Sequence, residues 1–197
     1  MTETAKTKTA KKQSAKTVCV VGATGGIGAA TCRLFAAQGH RMVLMDLATS
    51  PLKDLAAELG GTAQAIDVAD AASVEAAFAA ARQETAGLDA LVLASGVVEP
   101  ATALAQVTDE AWAQMLAINL TGVFLCCRAA VDWLCDGGRI VTLSSNAARS
   151  GGLATGPAYA ASKGGVEALT KALANQLAPR RITVNAVLDQ RPKEVAL

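Results

Sequence analysis

An α/β fold, a doubly wound parallel sheet with helices on both faces, is what the sequence predicts. Short β-branched runs alternate with longer Ala-rich segments from Lys16 to Val187, the order of a parallel sheet built through helical crossovers. The runs are apolar throughout rather than alternating, as strands covered on both faces should be. A chain of 197 residues, 52% hydrophobic and 18% charged, has enough material for one domain with its own core. Aromatics are scarce at 3%, so Ala, Val, Leu and Ile must fill that core.

Each element follows from its local sequence. Thr17–Val21 reads as a strand, followed by a Gly turn and a helix from about Gly26 to Gln38, which Gly39 stops. Arg41–Asp46 is a second strand, Pro51–Leu59 a short helix ended by Gly60-Gly61, and Thr62–Ile66 a third strand. Asp70–Thr85 is a helix with an Ala/Val/Phe face, and Ala90–Ala94 a fourth strand. A long helical region is expected from about Thr108 to Cys135, capped by Thr108 with acids in its first turn and broken at Gly137-Gly138. Arg139–Leu143 is a fifth strand, 145–156 a small-residue loop, Pro157–Leu177 a helix and Ile182–Val187 a sixth strand. No repeat or second domain is visible.

Charge and cysteine usage narrow the function classes. The net charge is +1, with +4 on residues 1–16 and −3 on the remainder. That tail, with Lys6, Lys8, Lys11, Lys12 and Lys16, reads as a disordered basic arm without the apolar run of a secretory signal. The balance gives no reason to expect nucleic acid, and no charge-free stretch of about 20 apolar residues predicts a membrane span. Cys19, Cys32, Cys126, Cys127 and Cys135 form no C-x-x-C pair, and His40 has no ligand cluster. No metal site is expected, and buried reduced thiols in a cytoplasmic protein are the simpler account.

The first strand runs into Gly22-Ala23-Thr24-Gly25-Gly26-Ile27-Gly28 and then a helix. A pyrophosphate needs backbone N–H groups at a helix N-terminus with no side chain in its way. Gly22 allows the tight turn, Gly26 lets backbone approach a cofactor, and Gly28 permits helix–strand packing. Asp46 ends the second strand eighteen residues after Gly28. A carboxylate there accepts hydrogen bonds from both ribose hydroxyls and repels a 2′-phosphate, which favours NAD over NADP. Asp67, before Val68, ends the third strand, where a carboxylate and backbone can meet an adenine amino group or cap the next helix.

Tyr159, the only tyrosine, and Lys163 are four residues apart, hence on one helix face, roughly 6 Å apart along the axis. An ammonium beside a phenol favours the phenolate, which makes a tyrosine usable as a proton donor or acceptor. Strand Arg139–Leu143 ends in Ser144-Ser145, and the carboxyl ends of such strands are where ligands bind. Asn119 sits among Leu116, Ile118, Leu120 and Val123, where an amide needs a partner. It is either satisfied by backbone or holds a water in a proton relay to Lys163.

Together these residues resemble the short-chain dehydrogenase/reductase family over residues 17–187. The stretches that carry the likeness are VVGATGGIG at 20–28, DV at 67–68, AINLTGVF around Asn119, LSS at 143–145, YAASK at 159–163 and VNAV at 184–187. The resemblance implies a Rossmann-like domain and an NAD(H)-dependent oxidoreductase interconverting a secondary alcohol and a ketone. The candidate substrates are 3-oxoacyl thioesters, sugars, steroids and small hydroxy compounds. It implies a tetrad in which Tyr159 is the acid/base and Lys163 assists it and binds the nicotinamide ribose. Ser145 would orient the substrate oxygen, and Asn119 would complete the proton path. The implied cofactor contacts are Gly22, Thr24, Gly25, Gly26, Ile27, Gly28, Asp46, Asp67, Val68, Ala94, Ser95 and Gly96, with Tyr159 and Lys163. A homodimer or tetramer assembled through the two long helices is implied as well.

Three departures stand out. Val21 replaces the Thr usual before the first glycine. Leu93-Ala94-Ser95-Gly96 replaces Asn-Asn-Ala-Gly, leaving Ala94 and Ser95 to offer backbone groups. After Val187 come Leu188-Asp189-Gln190-Arg191-Pro192-Lys193 and four more residues, read as an atypical tail over 188–197. The Pro-Gly turn, substrate cover and seventh strand of the family have no counterpart in those ten residues. The sixth strand would then be an uncovered edge, which predicts low stability or dependence on a partner. A non-catalytic dinucleotide-binding or scaffold protein, or an inactive truncated product, are the competing readings.

Overall fold

A computed structural model describes residues 14–189 apart from positions 48 and 99. Most of the expected basic arm, and residues 190–197 of the expected tail, lie outside the described residues.

Six strands form one parallel sheet: β1 (Thr17–Val21), β2 (Arg41–Asp46), β3 (Thr62–Ala65), β4 (Leu88–Leu93), β5 (Leu134–Ser145) and β6 (Thr183–Asp189). Their order is β3-β2-β1-β4-β5-β6, so the chain winds outward from β1 in one direction and then from β4 in the other. The helices are α1 (Gly26–Ala37), α2 (Ser50–Leu59), α3 (Ala71–Glu84), α4 (Asp109–Leu116), α5 (Gly122–Ala130), α6 (Ala147–Ser150) and α7 (Gly156–Leu177). One core lies on each face of the sheet. Phe78, Cys126, Leu91 and Ile140 belong to the first, and Val20, Leu44, Leu52 and Cys32 to the second. The topology reverses between β1 and β4, and ligands bind outside the carboxyl ends of the strands at such a reversal.

Several expected elements differ. Strand β3 is not apolar throughout: Thr-Ala-Gln-Ala is only partly buried, because β3 is an edge strand. The long helical region ends at Ala130, not Cys135. The apolar residues Trp133 and Leu134 continue the helical pattern, but the sheet and α3 claim them. Trp133 meets Phe78 edge-on at 6.3 Å, and Leu134 pairs with Leu88. Arg180 donates to the carbonyls of Val131 and Leu134, satisfying backbone the helix leaves open. Gly137-Gly138 therefore does not break a helix. It forms an irregularity inside β5, where the register with β4 shifts between Leu88 and Ala90. The 145–156 loop contains the single turn α6.

Between α4 and α5 the helix widens into a π turn, Ala117–Thr121, which carries Asn119. The whole stretch Asp109–Ala130 is long and apolar enough to cross a membrane by length and composition, with mean hydropathy 1.4. Half of it is buried inside the fold, as in a core helix. Cys126 and Cys127 lie in that buried face, and burial pushes the Cys127 thiol up to about 12. Strand β6 forms one edge of the sheet, with α7 packed on it.

Candidate active site

The glycine turn is built by close backbone approaches. Gly22 adopts φ +80°, and a Cβ there would lie 2.4 Å from Ser95 N. A Cβ on Gly28 would lie 2.0 Å from the Gly22 carbonyl oxygen, so Gly28 serves packing, as its position suggested. Gly26 is different: nothing lies within 4 Å of a Cβ built on it. It opens α1, whose N-cap Gly25 supplies no side-chain cap and whose first turn contains no acid. The opening of α1 is thus an uncapped donor end beside open space, which suits an anion.

Two cavities meet over this turn. The first, about 270 Å³, is lined by Gly22, Thr24, Gly25, Asp46, Asp67 and Val68, with Ala94, Ser95 and Gly96. The second, about 220 Å³, is lined by Gly25, Gly26 and Ile27 on one side and Tyr159 and Lys163 on the other. Gly25 and residues Ala94–Val97 belong to both, so the two form one cleft across the carboxyl ends of the strands.

Asp46 reaches the turn because β2 is in register with β1, Met45 opposite Val21. Its Oδ2 accepts from Thr24 N at 2.8 Å and from Thr24 Oγ1 at 2.7 Å. Oδ1 accepts from Leu47 N at 2.8 Å. Asp67 Oδ1 accepts from Ala69 N at 2.9 Å; Asp70, not Asp67, caps α3. Among the described residues no lysine or arginine lines this end of the cleft.

At the other end, Lys163 is 5% exposed and donates from Nζ to the Leu143 carbonyl at 2.9 Å. Its Nζ lies 5.7 Å from the centroid of the Tyr159 ring. A Cβ on Gly96 would come 3.2 Å from Asn119 Oδ1 and 3.4 Å from Lys163 Nζ, so that glycine admits both groups.

Asn119 is fully buried and lines neither cavity. Its Oδ1 accepts from Val97 N at 2.8 Å, and its Nδ2 donates to Val97 O at 2.8 Å. The side-chain amide is thus satisfied by backbone and clamps the segment after β4, the first of the two roles open to it from sequence. Ser145 also lines neither cavity, and its Oγ accepts from Ala147 N at 3.2 Å. Its neighbour Ser144 lines the second cavity. Leu47, Ile66, Ile118 and Val97 line the first cavity and were not singled out from sequence. Their signal was faint: single apolar residues just past strand ends or on a core helix.

The family model described as short chain dehydrogenase matches residues 16–189. This chain belongs to the short-chain dehydrogenase family. It is 40% identical over 179 residues to D-threitol dehydrogenase of Mycolicibacterium smegmatis, covering 87% of this chain and 68% of that protein. It is 39% identical over 176 residues to galactitol 2-dehydrogenase (L-tagatose-forming) of Cereibacter sphaeroides, covering 85% and 68%. Among solved structures, a short-chain dehydrogenase/reductase from Brucella melitensis described as glucose/ribitol dehydrogenase superposes with TM-score 0.83 at 36% identity. That match covers 88% of this chain and 73% of the other. Members of the short-chain dehydrogenase family are oxidoreductases that typically bind a nicotinamide dinucleotide, and the cleft has the uncapped helix end and open glycine such a ligand requires.

Proposed function

We propose that this chain is an NAD(H)-dependent oxidoreductase interconverting a secondary alcohol and a ketone, acting on polyols or sugars. One observation carries the reading: the glycine turn, Tyr159 and Lys163 face each other across one cavity that continues toward Asp46. The first cavity would take the adenosine half, with Asp46 and Asp67 as acceptors, and its two carboxylates without a cation disfavour a 2′-phosphate. Gly25, Gly26 and Ile27 would meet the pyrophosphate. A bound nicotinamide supplies the hydride chemistry. Tyr159 gives or takes the hydroxyl proton, Lys163 supports it electrostatically, and Ser145 orients the substrate oxygen. Asn119 holds the Gly96–Val97 backbone that faces both. The polyol assignment rests on relatives named for threitol and galactitol.

The same reading gives a cytoplasmic homodimer or tetramer through the stretch Asp109–Ala130 and α7. Trp112 and Phe124 stand exposed on the first of these.

The deciding assay follows NADH absorbance over a panel including threitol, galactitol and their ketones, with Tyr159→Phe alongside. Turnover with NAD, lowered roughly 100- to 10,000-fold in Tyr159→Phe at unchanged NADH affinity, is expected. An unchanged rate in that variant overturns the role of Tyr159. Dinucleotide binding without turnover across the panel would leave a binding protein instead.

A further inference from the structure

Glu167 lies one turn beyond Lys163 and two beyond Tyr159 on α7. Its side chain is 19% exposed, and two groups from outside the helix converge on its Oε1. Ser144 Oγ, 1% exposed at the end of β5, lies 3.1 Å from that oxygen and 3.4 Å from the Lys163 carbonyl. Arg149 Nε, in α6, lies 3.5 Å from the same Oε1. These two partners bracket Ser145, one immediately before it and one four residues after. A charged acceptor makes stronger hydrogen bonds than a neutral one, and partial burial protects them from water.

We infer that Glu167 is a positioning residue for Ser145: by holding the end of β5 and the following turn onto α7, it sets where the Ser145 hydroxyl stands relative to Tyr159. The inference rests on the roles proposed above for those two residues. Among the described residues the Ser145 Oγ is paired with Ala147 N, within its own segment, and not with α7. Its place relative to the helix is therefore inherited from its neighbours. Displacements of an ångström in such a group are enough to lower a rate by about tenfold or more.

The test is a double-mutant cycle on the full chain with Ser145→Ala. Glu167→Ala is expected to lower kcat about tenfold with NADH affinity within about twofold of the parent. In the Ser145→Ala background it should cost less than about twofold, because the residue it acts through is gone. Glu167→Gln keeps an oxygen for both donors and should restore most of the rate. Equal loss in both backgrounds, or no rescue by Gln, overturns the inference. Wild-type turnover in Ser145→Ala would remove the role of Ser145 beneath it, a result separate from additivity. Hydrogen exchange adds a readout independent of turnover. Amides of 145–150 should exchange about tenfold faster in Glu167→Ala while those of β1 and β4 stay unchanged, and unchanged exchange at 145–150 overturns the inference. Should Glu167→Ala fail to fold, Arg149→Met removes one tie at an exposed position, and the same criteria apply to it.

Discussion

The two ends of the cleft are made of different material. At the end that reaches Asp46 much of the wall is backbone: four glycines within the seven residues 22–28, a bare helix start and one carboxylate pinned by Thr24. At the end that reaches Tyr159 and Lys163 the wall and its support rest on side chains from three separate segments, held by polar ties: Asn119 on the Val97 backbone, Lys163 on the Leu143 carbonyl, Ser144 on the Glu167 carboxylate. The glycine turn of the first end is local in sequence and fails by steric intrusion. The second is assembled by the tertiary fold and fails when a buried donor or acceptor loses its partner.

The sharpest break in that comparison comes within the glycine turn. Gly28→Ala would drive a Cβ to 2.0 Å from the Gly22 oxygen, so α1 must move off β1. A loss of about 3 kcal/mol is expected, seen as a fall in urea midpoint at constant slope, together with loss of NADH binding. Gly26→Ala meets no atom within 4 Å. Its stability should stay within about 0.5 kcal/mol of the parent while NADH affinity falls tenfold or more. If both variants lost stability equally, the division between packing glycine and binding glycine would be wrong.

The corresponding break at the Tyr159 end is Asn119→Ala. It removes a fully buried amide and strips the part-buried Val97 N–H and C=O of their partner, at an expected cost of about 2 kcal/mol. Thermal unfolding should come roughly 4–8 °C earlier. The rate of hydride transfer should fall too, because Gly96 and Lys163 share that packing. A variant as stable as the parent would show that the clamp is not needed.

What could be read in advance divides along the same line. The turn and the Tyr159–Lys163 pair announce themselves within short windows, because their geometry depends on neighbours in sequence, whereas Asp46 meets Thr24 only through the register of β2 on β1. The parallel sheet with helices on both faces followed from alternation alone. Asn119 was visible as a misplaced amide, but its bond to Val97 spans 22 residues and two elements and leaves no local trace. The π turn under it has no sequence signature either. Trp133 and Leu134 continue a helical pattern, and only their capture by Phe78 and Leu88 puts them elsewhere. The sequence does not say which of Ser144 and Ser145 meets Glu167; that is decided by the strand's alternation against α7.

A smaller effect is expected at Asp46. Asp46→Asn keeps acceptor capacity toward Thr24 but removes the charge at the wall of the first cavity. NADPH affinity should rise about tenfold relative to NADH, corresponding to roughly 1.4 kcal/mol. Titration of both dinucleotides by fluorescence checks it, and an unchanged ratio would remove Asp46 as the selector.

The smallest effect concerns neither end of the cleft but the buried face of the helix that carries Asn119. Burial raises the Cys127 thiol from its ordinary 9.0 to about 12, so the folded chain keeps that proton where the unfolded chain releases it. Above pH 9 the unfolded state binds fewer protons, and stability must fall as pH rises. The contribution is fully present below about 9 and is lost progressively until the pH passes about 12. One such thiol removes about 1 kcal/mol between pH 9 and pH 10. Cys127→Ala shifts the absolute stability for reasons of packing, so the informative quantity is the slope. Urea unfolding from pH 7 to pH 10 should show a shallower alkaline decline in Cys127→Ala than in the parent. Parallel declines would mean that this thiol keeps contact with solvent in the folded chain, and that the helix that carries Asn119 is looser than its packing implies.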